Sequence, residues 1–124
     1  MKQWQIKIWN EGKYIDFWAV NHILGGAILA YIFIHLDISF LAGLAISSAT
    51  MIVWELYEIK LKIQEAVSNR VTDIITGLLG FIGYYYLNET ITIAFISFLI
   101  FILLPFILLD IWGFLAYKAE NKNR

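Results

Sequence analysis

Residues 17–36 read FWAVNHILGGAILAYIFIHL, which holds no Asp, Glu, Lys or Arg and only two histidines, His22 and, at its far end, His35. A helix needs roughly 20 apolar residues to cross the hydrocarbon of a bilayer, so this run predicts a membrane span. Three further runs repeat the pattern: 38–59 (ISFLAGLAISSATMIVWELYEI), 71–87 (VTDIITGLLGFIGYYYL) and 90–117. The last is long enough to tilt and run into the interface. Pro105 lies inside it and predicts a kink, because proline lacks the backbone donor and clashes with the preceding turn. The expected fold is therefore all-α, a polytopic membrane protein built as one four-transmembrane-helix bundle. A short N-terminal interfacial segment, WQIKIWNEGKYIDFW, mixes Trp and Ile with Lys and is expected on the membrane surface. The polar connection KLKIQEAVSNR is expected to prolong the second span as an amphipathic helix, with Ser68 or Asn69 capping the third.

The composition agrees. The chain is 60% hydrophobic and 15% charged, where a soluble domain is about half apolar and about a quarter charged. Its length of 124 residues allows one domain. A net charge of −1 leaves no basic face for nucleic acid. Without cysteine there is no disulfide, thiolate metal site or cysteine nucleophile. The N-terminus has no apolar stretch followed by a small-residue cleavage site, so no cleavable signal peptide is expected.

The turns around residues 35–37 and 88–89 carry no Lys or Arg. Lys2, Lys7 and Lys13 precede the first span, Lys60, Lys62 and Arg70 lie between the second and third, and Lys118, Lys122 and Arg124 follow the fourth. Every basic residue falls on one side, and the positive-inside rule makes that side cytoplasmic, so the chain is expected in the inner (plasma) membrane with both termini in the cytoplasm. Trp4, Trp9, Tyr14, Trp18, Trp54, Tyr57, Trp112 and Tyr117 fall at that interface, and Tyr84, Tyr85 and Tyr86 at the other. Gly25, Gly26 and Ala30, then Gly43, Ser47 and Thr50, then Gly77, Gly80 and Gly83 are the expected helix contact faces, since small residues let membrane helices approach closely.

Five ionisable residues stand within the spans at one depth: His22, Glu55, Glu58, Asp73 and Asp110. Ionisable groups inside a bilayer are expensive, and a set of them marks a candidate site. His22, Glu55, Glu58 and Asp73 are the expected catalytic and metal-ligating residues. A His with several carboxylates suits Mg²⁺, Mn²⁺ or Zn²⁺, and the same groups suit general acid–base work. Arg70, Asp110 and Asn21 are the expected substrate-binding residues. Each also has a plainer reading. Glu55 and Glu58 can be solvated or paired with Lys60, Lys62 or Arg70. His22 can bond a neighbouring helix, Asp73 can complement the helix dipole, and Asp110 can pair with Arg70 or a lysine.

The order of these residues resembles the VanZ-like family of small bacterial integral membrane proteins. The resemblance is carried by Asp16 and His22, by WELYE with Glu55 and Glu58, and by NRVTDIITGLLG with Arg70, Asp73, Gly77 and Gly80. It covers the first three spans. It implies envelope biology and a lipid-linked or amphiphilic substrate, without a defined reaction. Two readings follow. One is a hydrolase-like metal-dependent or acid–base enzyme acting on a lipid or lipid-linked phosphate. The other is a non-catalytic lipid-binding or envelope-assembly protein whose polar residues fix helix packing. A transporter fits least, because the outer half of the spans is almost without polar residues, although a homo-oligomer would supply a pathway that one chain lacks. Membrane lipids are the expected partners.

Overall fold

The computed structural model describes residues 1–122 and Arg124. The helices are α1 (Gln3–Lys7), α2 (Trp18–His35), α3 (Phe40–Lys60), α4 (Val67–Thr90) and α5 (Phe95–Lys122). No strand occurs among the described residues. Three of the helices, α2, α3 and α5, are long and apolar enough to cross a membrane, whereas four were expected. The exception is α4. It has 24 residues, but Asn69, Arg70, Thr72 and Asp73 occupy its first two turns and Asn88 and Glu89 its last. The apolar stretch between them is too short to qualify.

The register is up-down-up-down. Along α2 and α4, His22 meets Asp73 and Gly26 meets Gly77, so these two helices run parallel. On α3, Glu55 meets Arg70 and Gly43 faces Phe81, so α3 runs the other way. On α5, Phe98 stacks on Tyr31 while Asp110 meets Asn21, which makes it antiparallel to α2. Both chain ends therefore lie at one end of the bundle, together with the connection between α3 and α4. The most extensive packing is between α2 and α4. A Cβ on Gly26 would collide with the carbonyl oxygen of Gly77, and one on Gly80 with that of Ile23, so the two backbones touch. Gly43 lies against Phe81 and Phe33, as the small-residue pattern predicts, but Gly83 faces open space and Thr50 is exposed.

Helix ends depart from expectation for local reasons. Lys62 adopts a left-handed conformation (φ 60°), the Ile63 N–H donates to the Glu58 carbonyl at 3.1 Å, and the Lys62 N–H donates to Ile59 at 3.0 Å. This is a Schellman stop, and it ends α3 where a continued amphipathic helix was expected. Asp37 (φ 54°) closes α2 the same way, with Ile38 N–H donating to Phe33 at 2.9 Å. α4 then starts at Val67, four residues before the expected boundary, and no side chain caps it. Ser68 and Asn69, the expected caps, lie inside the helix and reach other segments: the Ser68 hydroxyl donates to the Lys13 carbonyl. In α5 a π turn spans Leu99–Leu103, with Leu104 N–H bonded to the Leu99 carbonyl just before Pro105. The proline thus produces a widened turn, a usual cause of helix distortion.

An apolar core of Ala27, Ala30, Phe81, Tyr84 and Phe98 fills the half of the bundle away from the chain ends. Tyr84 belongs to this core, not to a surface belt. Trp9, only 4% exposed, packs against Phe17, Trp18 and Trp112 at centroid distances of 4.9, 4.4 and 5.5 Å. The Trp18 indole N–H donates to the Trp9 carbonyl at 3.0 Å. These tryptophans, read from the sequence as an interface belt, fasten the N-terminal segment onto α2 and α5. Trp4, Tyr14, Trp54 and Tyr57 do stay exposed.

Candidate functional site

The polar half of the bundle is organised by α4. Asn69, Arg70, Asp73, Thr76, Gly77 and Gly80 are all buried, at the three- and four-residue spacing that lines one helix face. The glycines bring α2 close, and the polar residues one or two turns below them are thereby drawn into the interior.

Arg70 is the centre of the first group. Its Nη1 lies 3.2 Å from Glu55 Oε2, 3.4 Å from Glu65 Oε2 and 3.7 Å from Glu58 Oε2. Nη1 also donates to the Glu55 carbonyl at 3.3 Å, and Nη2 to the Ile63 carbonyl at 2.8 Å. The Schellman stop at Lys62 is what turns the Ile63 carbonyl toward it. A planar guanidinium with five donors suits such a multiple contact. Arg70 is thus committed to three carboxylates and a loop carbonyl.

His22 forms the second group. Its Nε2 lies 3.3 Å from Asp73 Oδ2. Single ligand atoms of His22, Glu55 and Asp73 all fall within 4.8 Å of one another, and the same holds for Glu55, Glu58 and Glu65. The four expected ligands are therefore divided: His22, Glu55 and Asp73 converge, while Glu58 joins Glu55 and Glu65 around Arg70. Asp73 is 2% exposed, and its Oδ1 has no hydrogen-bond donor. Asn21, one residue before His22, looks toward a different neighbour and donates from Nδ2 to Asp110 Oδ1 at 2.6 Å. Asp110 pairs with this amide and not with Arg70 or a lysine.

A third group was not anticipated. Asn69 Nδ2 lies 2.5 Å from Asp16 Oδ2, 2.8 Å from Glu65 Oε1 and 3.4 Å from Glu11 Oε2. Asp16 also accepts from Gly12 N–H at 2.9 Å and Trp18 N–H at 3.0 Å, which ties the N-terminal segment to the start of α2. Glu11 and Glu65 lie in irregular segments with no periodicity to point them inward, so their roles were not legible. The one signal was Glu65 standing four residues before Asn69 at the start of a helix.

Charge does not balance here. Glu11, Asp16, Glu55, Glu58, Glu65 and Asp73 meet one guanidinium and one imidazole. With every carboxyl ionised and the imidazole neutral, six negative charges less one positive leave −5. Protons or a cation must make up the deficit. The Glu65 side chain is only 2% exposed, and burial is the main cause that lifts its carboxyl to about 8, followed by its hydrogen bond to Asp73 and the charges of Asp73, Glu55 and Glu58. Its folded pKa stands above the ordinary 4.5, so its contribution to stability is complete below that value and is lost as pH rises through about 8. Thermal melting in detergent with chelator present should accordingly show the midpoint falling across this interval, and Glu65→Gln should flatten the fall. An unchanged slope in Glu65→Gln would assign the titration to another group.

A cleft of about 260 Å³ opens at this end, with Trp9, Glu11, Trp18, Gln64 and Tyr117 among its walls. A second cleft, about 370 Å³, lies at the opposite end beside Asp37 and Glu89, away from all three groups. No family model, no curated protein and no solved structure matches this chain.

Proposed function

We propose that this chain is a four-crossing membrane protein whose polar end holds a divalent cation and acts on a phosphate ester of a lipid or lipid-linked substrate. The observation that carries this reading is the convergence of His22, Glu55 and Asp73, with the buried Asp73 Oδ1 lacking any donor. One imidazole and two carboxylates make three protein ligands. Such a set leaves positions for water and a phosphoryl oxygen, and a bound cation would lower the pKa of that water and polarise the phosphoryl group. Glu58 and Glu65 stand beside the set as acid–base groups, and Arg70 fixes their placement.

Four crossings follow if α4 spans with its polar stripe shielded by α2, α3 and α5, the arrangement in which polar residues within a bilayer are tolerated. All nine Lys and Arg then lie at one end, and the positive-inside rule puts that end and both termini in the cytoplasm. Lys2, Lys7, Lys13, Lys60 and Lys62 are exposed and, at that same end, would attract anionic headgroups, a task Arg70 is not free to perform. The substrate class also draws on the resemblance to VanZ-like proteins in His22, Glu55, Glu58, Arg70, Asp73, Gly77 and Gly80.

Elemental analysis of purified protein is the test. A stoichiometric divalent metal is expected in the wild type, and less than about a tenth of it in His22→Ala and Asp73→Asn. Release of phosphate from lipid phosphates in mixed micelles should fall with it. The ion pairs around Arg70 favour one other reading, a network that only holds the helices together. It is supported if the His22 variant melts earlier while no metal and no turnover are found in the wild type.

A further inference from the structure

We propose that residues 9–16 form a latch that shuts the polar end of the bundle and lets go as its carboxylates gain full negative charge. What it guards is the His22 set, so this role rests on the function proposed above. Glu55 and Asp73 are only 5% and 2% exposed, and a lipid headgroup cannot touch them until a covering segment moves. Glu11 and Asp16 meet Asn69, and Glu65 beside them meets Arg70, so residues 9–16 lie over the Arg70 end of the site. They stand outside the long helices and can lift without parting the bundle.

The segment has a built seat. Trp9 is almost fully buried and packs edge-on to Phe17 and Trp112. Gly113 on α5 makes room for it: a Cβ there would lie 3.1 Å from Trp9 Cε3 and 2.5 Å from Trp18 Cη2. The chain turns back at Gly12, whose N–H donates to Asp16 Oδ2 at 2.9 Å. The Ser68 hydroxyl donates to the Lys13 carbonyl. Asn69 Nδ2 lies 2.5 Å from Asp16 Oδ2 and 3.4 Å from Glu11 Oε2. Contacts from α2, α4 and α5 thus all hold the segment down.

The closed state is also penalised from within. The Trp9 indole N–H is buried with no acceptor and the Asn69 Oδ1 with no donor, costs that water removes once the segment lifts. One oxygen each from Glu11, Asp16 and Glu65 lies within 4.8 Å of the others. Among the described residues no ion pair involves Glu11 or Asp16, so a proton must quiet the repulsion. Glu11 is exposed as a residue, but its carboxyl lies against the wholly buried Asn69. Burial, then the charge of Glu65, the hydrogen bond to Asp16 and the charges of Asp16 and Glu58, push that carboxyl up to about 9. Those groups face it from the connection after Lys62, the lead into α2, and α3. Asn69 faces it from α4, while Glu120 and Arg124, paired at 3.3 Å, line the same cleft. The closed-state value stands above the ordinary 4.5, so closure is complete below 4.5 and is lost progressively as pH rises to about 9.

The chain has no cysteine of its own, so spin labels can be placed at will. Labels at Lys13→Cys and Lys118→Cys, both exposed positions, report the distance from latch to bundle in the full chain in detergent. The ratio of long to short distances should rise by about tenfold per pH unit up to about pH 9, and Glu11→Gln should hold the short distance throughout. A second pair, Leu61→Cys with Lys118→Cys, should not change, which separates opening from unfolding. A bismaleimide joining Lys13→Cys to Ser68→Cys should leave metal content intact and cut phosphate release to less than about a tenth of that before cross-linking. A wild type without turnover would overturn the catalytic reading and not the latch, which the label distances judge alone. A distance that ignores pH, or that shifts equally in Glu11→Gln, overturns the latch, and so does full phosphate release from the cross-linked chain.

Discussion

Arg70→Met is expected to be the most damaging single change in this protein. Among the described residues the guanidinium is the only Lys or Arg charge paired with Glu55, Glu58 and Glu65, and removing one partner of a buried ion pair is destabilising by roughly 3–5 kcal/mol, because the other charge is left buried and uncompensated. Three carboxylates share the partner here, so the loss should lie at the upper end of that range. Arg70→Lys should fall between the wild type and Arg70→Met. An ammonium restores the charge but cannot address the three carboxylates and the Ile63 carbonyl from one plane. Denaturant unfolding followed by tryptophan fluorescence measures the difference, and an Arg70→Met protein as stable as the wild type would refute this account of the site.

The second large effect is expected at the glycines between α2 and α4. A Cβ at Gly26 would meet the Gly77 carbonyl and also lie 2.8 Å from the Phe81 nitrogen. A Cβ at Gly80 would meet the Ile23 carbonyl and lie 2.9 Å from the Ile23 Cα. The obstacles are backbone atoms, so no side-chain rotation relieves them and the helices themselves must part. Overpacking of this kind is destabilising by about 1–3 kcal/mol, and Gly26→Ala and Gly80→Ala should reach the top of that range. Parting the helices also pulls His22 away from Asp73, now 3.3 Å distant, so the cation binding proposed for this site should weaken along with stability. Gly83→Ala is the control. Nothing lies within 4 Å of its added Cβ, and alanine is the better helix former by roughly 0.5–1 kcal/mol, so this variant should melt at or above the wild-type temperature. Equal behaviour of all three variants would refute close α2–α4 contact.

The same contrast explains what was legible in the sequence. Apolar runs long enough to span a membrane identify α2, α3 and α5, because hydrophobic length is a property of the chain itself. The start of α4 is a tertiary matter. Asn69, Arg70 and Asp73 look like a polar boundary until partners from α2, α3 and the preceding connection bury them. His22, Glu55 and Asp73 could be nominated by depth alone, since a helix converts residue number into height. Glu11 and Glu65 could not, because irregular segments carry no such ruler. The Asn21–Asp110 bond joins residues 89 positions apart and depends on how α5 is rotated. Nor does a lysine at position 62 announce a left-handed turn, which ordinarily favours glycine or asparagine.

The stretched turn at Leu99–Leu103 decides that rotation. Phe98 and Asp110 are 12 residues apart, and in an unbroken α-helix at 100° per residue they would point about 120° away from each other. A π turn absorbs one extra residue, taking back about 100° and leaving the two about 20° apart. Phe98 can then stack on Tyr31, with ring planes 9° from parallel, while Asp110 meets Asn21 on the same helix. One widened loop of backbone thus re-phases the C-terminal half of α5, so that a single rod presents an aromatic ring to the greasy end of α2 and a carboxylate to its wet end.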